Sequence, residues 1–280
     1  MIKLKNKLST RLKQGYTKSV IKLLARRSWI LKLYEVFWKP KKGTESLLNT
    51  FSLLHPGLSF IQIGANDGFT HDPICKYIYR DRWKGILVEP QKAPYENGLK
   101  VLYDNNPNVF PVNAAISDKS SQKVLYVVAF SEARWATGLA SFNKENVLEH
   151  FENGHAAYCA HKEGIDLPKD STDYIRKQMV SCVTFSELME KYSLSSVDLV
   201  QIDAEGFDFE VIKMIDFETI NPLLISFEST NLSAEDKKDC FDFLSSKGYL
   251  LYTDNRDTIA LKASEARKEE FDEWFNENAS

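Results

Sequence analysis

The sequence is short of cysteine, glycine and proline, and it has no long apolar run. Its four cysteines, Cys75, Cys159, Cys182 and Cys240, are widely spaced and form no CxxC pair. That spacing excludes a zinc ribbon and a dense disulfide framework, and reduced thiols in a cytoplasmic protein are the expectation. No apolar stretch approaches the roughly 20 residues that cross a bilayer. Arg26, Arg27 and Lys32 interrupt every candidate for the apolar core of a secretion signal. Internal repeats and low-complexity tracts are also missing, so neither a solenoid nor a disordered chain is indicated.

What is present suits one main folded domain with an appendage. The chain has 280 residues, 43% hydrophobic and 27% charged, an ordinary globular composition. Its net charge of −3 hides an asymmetry, because thirteen of the 36 Lys and Arg lie within residues 1–42, beside the single acid Glu35. The rest of the chain is strongly acidic. Within 17–38, Val20, Leu23, Leu24, Ile30, Leu31, Tyr34 and Phe37 fall at helical spacing, with Lys18, Lys22 and Arg26 opposite. Two uses fit this basic amphipathic helix: peripheral contact with an anionic inner membrane surface, or packing on the body. Nucleic acid is not an expected partner.

From about residue 58 short apolar runs alternate with helical stretches. The runs are Phe60–Ile63, Gly85–Val88, Val109–Val112, Val197–Ile202, Leu223–Phe227 and Tyr249–Tyr252. Helix candidates lie near 72–80, 91–103, 184–191, 207–215 and 234–247. This rhythm predicts an α/β fold, a mostly parallel sheet with helices on both faces. Thr258–Lys262 is expected to add an antiparallel edge strand. The organisation read from the sequence is a basic N-terminal helical region over 1–50, a main domain over 51–265 and a C-terminal helix or tail over 266–280. Residues 118–180 interrupt the rhythm and form a candidate lid or substrate-binding insertion.

The first strand runs into Gly64-Ala65-Asn66-Asp67-Gly68, a tight turn of the kind that brings backbone N–H groups and small residues against a nucleoside-like ligand. Glu89 ends the second strand, where a carboxylate accepts both ribose hydroxyls. Asp67 lies within the loop and the three-glycine dinucleotide fingerprint is incomplete. With Asp203 and Glu205 at another strand end, the crevice is acidic, which suits a cationic sulfonium better than a pyrophosphate. Glu228 closes the fifth strand at the same edge.

Four phrases in order and register carry a family resemblance: FIQIGANDGF over 60–69, WKGILVEP over 83–90, VNAAIS over 112–117 and VDLVQIDAEGF over 197–207. Together they resemble the FkbM methyltransferases across roughly 58–228. The resemblance implies a class I methyltransferase (Rossmann-like) fold, S-adenosylmethionine as cofactor and O-methylation of a hydroxyl, often on a sugar or secondary metabolite. It implies that Gly64 to Gly68 hold the methionine part, Glu89 the ribose, and that Asn113, Ala114 and Ala115 lie near the adenine. The family often has an acid at the position of Gln62.

Methyl transfer to a hydroxyl needs alignment of the two reactants and a base. Asp203 is the first candidate, helped by Glu205 or Glu228; His155 and His161 are alternatives. A divalent cation held by Asp203 and Glu228 would acidify the hydroxyl. The ring-rich stretch from Arg134-Trp135-Ala136-Thr137-Gly138 to Tyr158 offers a sugar-binding face or a packed lid. Competing readings are a nicotinamide-dependent oxidoreductase, which Asp67 and the incomplete fingerprint disfavour, and a catalytically silent glycan-binding module.

Overall fold

A computed structural model describes residues 42–254, 256–271 and 274. The expected basic helix over 17–38 lies outside them. The described strands, in chain order, are β1 (Ser59–Ile63), β2 (Lys84–Val88), β3 (Val109–Val112), β4 (Ala115–Ile116) and β5 (Ser121–Val128), then β6 (Ile175–Val183), β7 (Leu199–Ile202), β8 (Leu224–Glu228), β9 (Tyr249–Asp254) and β10 (Asp257–Lys262). Seven of them form one sheet in the order β3-β2-β1-β7-β8-β10-β9. The first five in that order run parallel.

Parallel neighbours require crossovers, and short helices supply them. Cys75–Arg80 links β1 to β2 and Asp208–Lys213 links β7 to β8, whereas Phe185–Lys191 leads from β6, outside this sheet, into β7, and Ala234–Ser246 leads from β8 to β9, which pairs antiparallel with β10. Local chemistry sets their starts. Thr184 and Glu187 form a capping box: the Thr184 hydroxyl accepts the Glu187 N–H at 3.1 Å, and the Glu187 carboxylate accepts the Thr184 N–H at 2.8 Å. Ser233 caps the Ala234–Ser246 helix by accepting the Asp236 N–H at 3.0 Å. Between β2 and β3 the helix runs Lys92–Pro94, a π-helical turn Tyr95–Leu99, then Lys100–Tyr103. The π turn presents Gly98 to the β1 loop, where a Cβ would stand 2.6 Å from the Cβ of Asp67. The edge strand β3 tolerates Pro111, which has no N–H to give a further neighbour.

Central strands bury both faces, which is why they read as apolar runs rather than alternating ones. Ile61, Ile63, Ile86, Val88, Val200, Ile202 and Ile225 point into one helix layer. Phe60, Leu87, Leu199, Leu224 and Ile259 point into the other. Burial of each such side chain contributes roughly 1.5–3 kcal/mol. The helix Gly43–Leu54 crosses the boundary expected at residue 50 and sends Leu47, Leu48 and Phe51 into the second layer. Phe271 and Trp274 close the same layer from the C-terminal side.

One expectation needs correction. Thr258–Lys262 does not lie at the edge: β10 pairs antiparallel with both β8 and β9, and β9 is the edge. The burial pattern explains the order. Thr258, Ile259, Ala260 and Leu261 are all buried, whereas Leu250 of β9 is 49% exposed.

The segment that breaks the rhythm folds separately. β5 and β6 pair antiparallel from Ser121↔Cys182 to Val128↔Ile175, and β4 adds parallel to β6. Helices Arg134–Thr137, Lys144–Glu152 and His155–Lys162 lie between β5 and β6. All four cysteines are free. Among the described residues no helix is long and apolar enough to cross a membrane.

Candidate active site

The C-terminal ends of β1, β2 and β7 meet beneath the β5–β6 insertion, with the β8 end beside them. Residues of the β1, β2 and β7 ends and of the insertion line a cleft between them. Its floor begins at Gly64, whose φ of +76° and near contact both demand glycine: a Cβ there would lie 1.9 Å from the Asp203 carbonyl oxygen. The Gly64 and Ala65 N–H groups donate to the Val88 carbonyl at 2.9 and 3.0 Å, and the Asp203 N–H donates to Ile63 at 3.0 Å. Three strand ends are thereby fixed to one another by backbone alone.

Glu89 follows β2 and is 2% exposed. One carboxylate oxygen accepts the Asn66 N–H at 2.8 Å, the other the Gln91 N–H at 2.7 Å. Burial pushes this carboxyl up to about 7, against the pull of the two N–H donors and the positive charge of Arg134. The side chain of Asn113 braces the same turn, donating to the Glu89 and Pro90 carbonyls at 2.9 and 3.1 Å.

At the β7 end, burial and the nearby Glu228 carboxylate raise Asp203 above the usual range, with Arg134 and Arg256 opposing. Its Oδ1 is buried with no hydrogen-bond partner among the described residues. Burial first, then the Asp203, Glu228 and Asp208 charges, raise Glu205 as well. Carboxylate oxygens of Asp203, Glu205 and Glu228 approach within 4.8 Å of one another. Glu228 is held by the Arg256 guanidinium, with Nε at 2.8 Å, and Glu205 accepts the Asn231 side-chain N–H at 3.0 Å. Asp208, a fourth carboxyl that no local pattern in the sequence marks, is fully buried beside them and pushed by burial up to about 8.

The insertion roofs the cleft through specific bonds. Thr137 Oγ1 exchanges hydrogen bonds with the Asn66 side chain at 3.2 and 3.3 Å, and the Gln91 side chain donates to the Thr137 carbonyl at 2.7 Å. Arg134 Nε donates to the Thr70 carbonyl at 3.2 Å. Ser141 Oγ and Asn146 Nδ2 both donate to the Glu205 carbonyl at 3.2 Å. The Phe142 and Phe207 rings meet edge-on, with centroids 5.5 Å apart, and both line the cleft.

Of the residues singled out in the sequence, Gly64, Asn66, Glu89, Ala114, Ala115, Asp203 and Glu205 line the cleft. Ala65, Asp67, Gly68, Asn113 and Glu228 do not line it, and Asn113 is exposed in a neighbouring hollow. Asp67 turns onto its own loop, accepting the Phe69 and Thr70 N–H groups at 2.9 and 2.7 Å. Gly68 packs on Leu99 and Tyr103. Gln62 gives its amide to Asp72 at 2.8 Å. His155 and His161 are exposed on the insertion and do not reach the cleft. Gln91, Arg134 and Thr137 do reach it, although nothing in the local sequence shows that they converge there.

A profile of the Methyltransferase FkbM domain matches residues 62–251. Among solved structures the chain is similar to the methyltransferase FkbM from Methylobacillus flagellatus KT, at 9% identity and TM-score 0.42, over 74% of this chain and 44% of that one. It thus spans less than half the length of that protein. A putative caffeoyl-CoA O-methyltransferase from Staphylococcus aureus is similar at 11% identity and TM-score 0.41, over 89% and 99% of the two chains. An O-methyltransferase from Bacillus cereus in complex with SAH is similar at 9% identity and TM-score 0.37, over 89% and 99%. No curated protein matches. The domain match covers more than half of this chain, which therefore belongs to the FkbM-domain family of methyltransferases.

Proposed function

We propose that this methyltransferase uses S-adenosylmethionine to methylate a hydroxyl, of a sugar in a cell-surface glycan or of a secondary metabolite. One observation carries the cofactor assignment: a buried carboxylate at the β2 end, Glu89, faces a glycine loop, while a second carboxylate, Asp203, leaves a buried oxygen without a partner. Each Glu89 oxygen has spent one acceptor position on backbone and retains another for a ribose hydroxyl. The Asp203 oxygen suits an ammonium or a cationic centre. Ala114, Ala115 and Ile116 give the apolar wall that a flat base requires.

When bound, S-adenosylmethionine supplies a methyl group already activated by its sulfonium. The chain's own residues have the remaining tasks. Gly64 and Asn66 shape the floor, Glu89 orients the ribose, and the insertion excludes water from the roof. Asp203, whose carboxyl burial and the Glu228 charge raise above the ordinary range, takes a second task in this reading: with one oxygen given to the ammonium, the other orients the acceptor hydroxyl and takes its proton. Glu205, which lines the cleft, offers an acceptor for a neighbouring hydroxyl of a polyol, which favours a sugar.

A divalent cation among Asp203, Glu205 and Glu228 is the second reading, prompted by their convergence within 4.8 Å. The bond from Arg256 to Glu228 already neutralises part of this charge, so the cation-free arrangement is preferred. The test is calorimetry with S-adenosylhomocysteine, followed by labelled S-adenosylmethionine with fractionated cell glycans. Tight NADH binding with none for S-adenosylhomocysteine rejects the assignment. Cofactor binding without label transfer to any fraction favours a silent binding module.

A further inference from the structure

Among the described residues Arg134 is the only Lys or Arg that lines the cleft. It comes from the insertion rather than from the sheet, and one bond fixes its place: Nε donates to the Thr70 carbonyl at 3.2 Å, over the loop that follows β1. Gly138 makes room for the guanidinium, since a Cβ there would lie 2.5 Å from one terminal nitrogen. Neither terminal nitrogen hydrogen-bonds to another described residue, and no carboxylate of a described residue is within ion-pair distance. The positive charge is nevertheless felt on both sides of the cleft, where it draws down the carboxyls of Glu89 and Asp203. A guanidinium whose two terminal nitrogens are open, fixed above the β1 loop, matches a planar carboxylate. On the floor below, Asp203 keeps a buried oxygen without a partner. A cation and an anion so placed complement an α-amino acid zwitterion.

We propose that Arg134 binds the α-carboxylate of the cofactor's methionine part, making the insertion a component of the cofactor site. The inference rests on the S-adenosylmethionine reading and goes beyond it. No sheet residue then needs to hold that carboxylate, and the roof is tied down by the ligand as well as by Thr137 and Gln91.

A cycle of two ligands and two proteins tests this. The ligands are S-adenosylhomocysteine and its methyl ester, in which a neutral methoxycarbonyl replaces the carboxylate. Wild type is expected to bind the acid at least about tenfold more tightly than the ester, as loss of a charge-assisted bidentate contact implies. Arg134→Met is expected to bind both with the weaker affinity, and Arg134→Lys to recover part of the preference. Equal binding of acid and ester by wild type overturns the proposal even if the variant fails to fold. An equal loss for both ligands in Arg134→Met, with the preference intact, also overturns it and leaves Arg134 a structural tie to Thr70. A wild-type protein that binds neither ligand refutes the S-adenosylmethionine reading instead.

Discussion

Glu89 turns the proposed cofactor contact into a pH-dependent one. Its carboxyl lies at about 7 in the folded, ligand-free protein, against an ordinary value of 4.5. The folded state therefore holds the proton more tightly than the unfolded chain does. This stabilising contribution is complete below about 4.5 and is lost as pH rises through about 7, amounting to roughly 3 kcal/mol over the span. Ribose hydroxyls donate to the anion and favour the deprotonated form, so affinity for S-adenosylhomocysteine should rise about tenfold per pH unit below about 7 and flatten near 8. Between about pH 5.5 and 8.5 the expected change is roughly 30-fold, with proton release near pH 6.5. Calorimetric titrations in buffers of different ionisation enthalpy measure both quantities. Glu89→Gln removes the titrating group while keeping its size; it should abolish this pH dependence and weaken binding about tenfold at high pH. A flat wild-type profile would refute the reasoning, as would an identical slope in the variant.

Asp203→Asn should abolish most label transfer while the thermal unfolding midpoint stays close to wild type; full activity in this variant would move the base elsewhere. Activity is expected to survive treatment with a chelator, and its loss, restored by added magnesium, would establish the cation reading. Gly64→Ala combines a left-handed φ with a clash against the Asp203 carbonyl, so denaturant unfolding should show a loss of more than about 2 kcal/mol. Removal of residues 1–42 should lower sedimentation with anionic vesicles at low salt without changing S-adenosylhomocysteine affinity; binding to neutral vesicles that is equal and insensitive to salt would discount the electrostatic role.

The parallel strands are legible in the sequence because burial on both faces makes Phe60–Ile63, Gly85–Val88 and Leu223–Phe227 continuous apolar runs. Strand order is a different kind of information. Thr258–Lys262 reads as an appended edge, yet the hairpin from β9 slides it between β8 and β9, where its greater apolarity is buried. At the site, Glu89 and Asp203 are legible because both end strands at one edge of the sheet. Asp67 is visible as an acid in the loop, but the turn of its carboxylate onto Phe69 and Thr70, with Gly98 packed behind it, depends on a helix distant in sequence. The converging contacts of Arg134, Thr137 and Gln91 and the Glu228–Arg256 pair are tertiary, and no periodicity or spacing reports them.

Two residues beside the cleft occupy the left-handed region without being glycine: Asn66 at φ +48° and Glu205 at φ +47°. Each incurs a backbone cost of about 1–3 kcal/mol that a glycine would avoid. A chain selected only for durability would drift toward glycine at both places, and would lose the Asn66 bond to Thr137 and the Glu205 bond to Asn231. Stability and site architecture therefore impose opposite preferences at these two positions. A library enriched for thermal resistance alone should accumulate glycine at 66 and 205, whereas one enriched for turnover should retain the side chains.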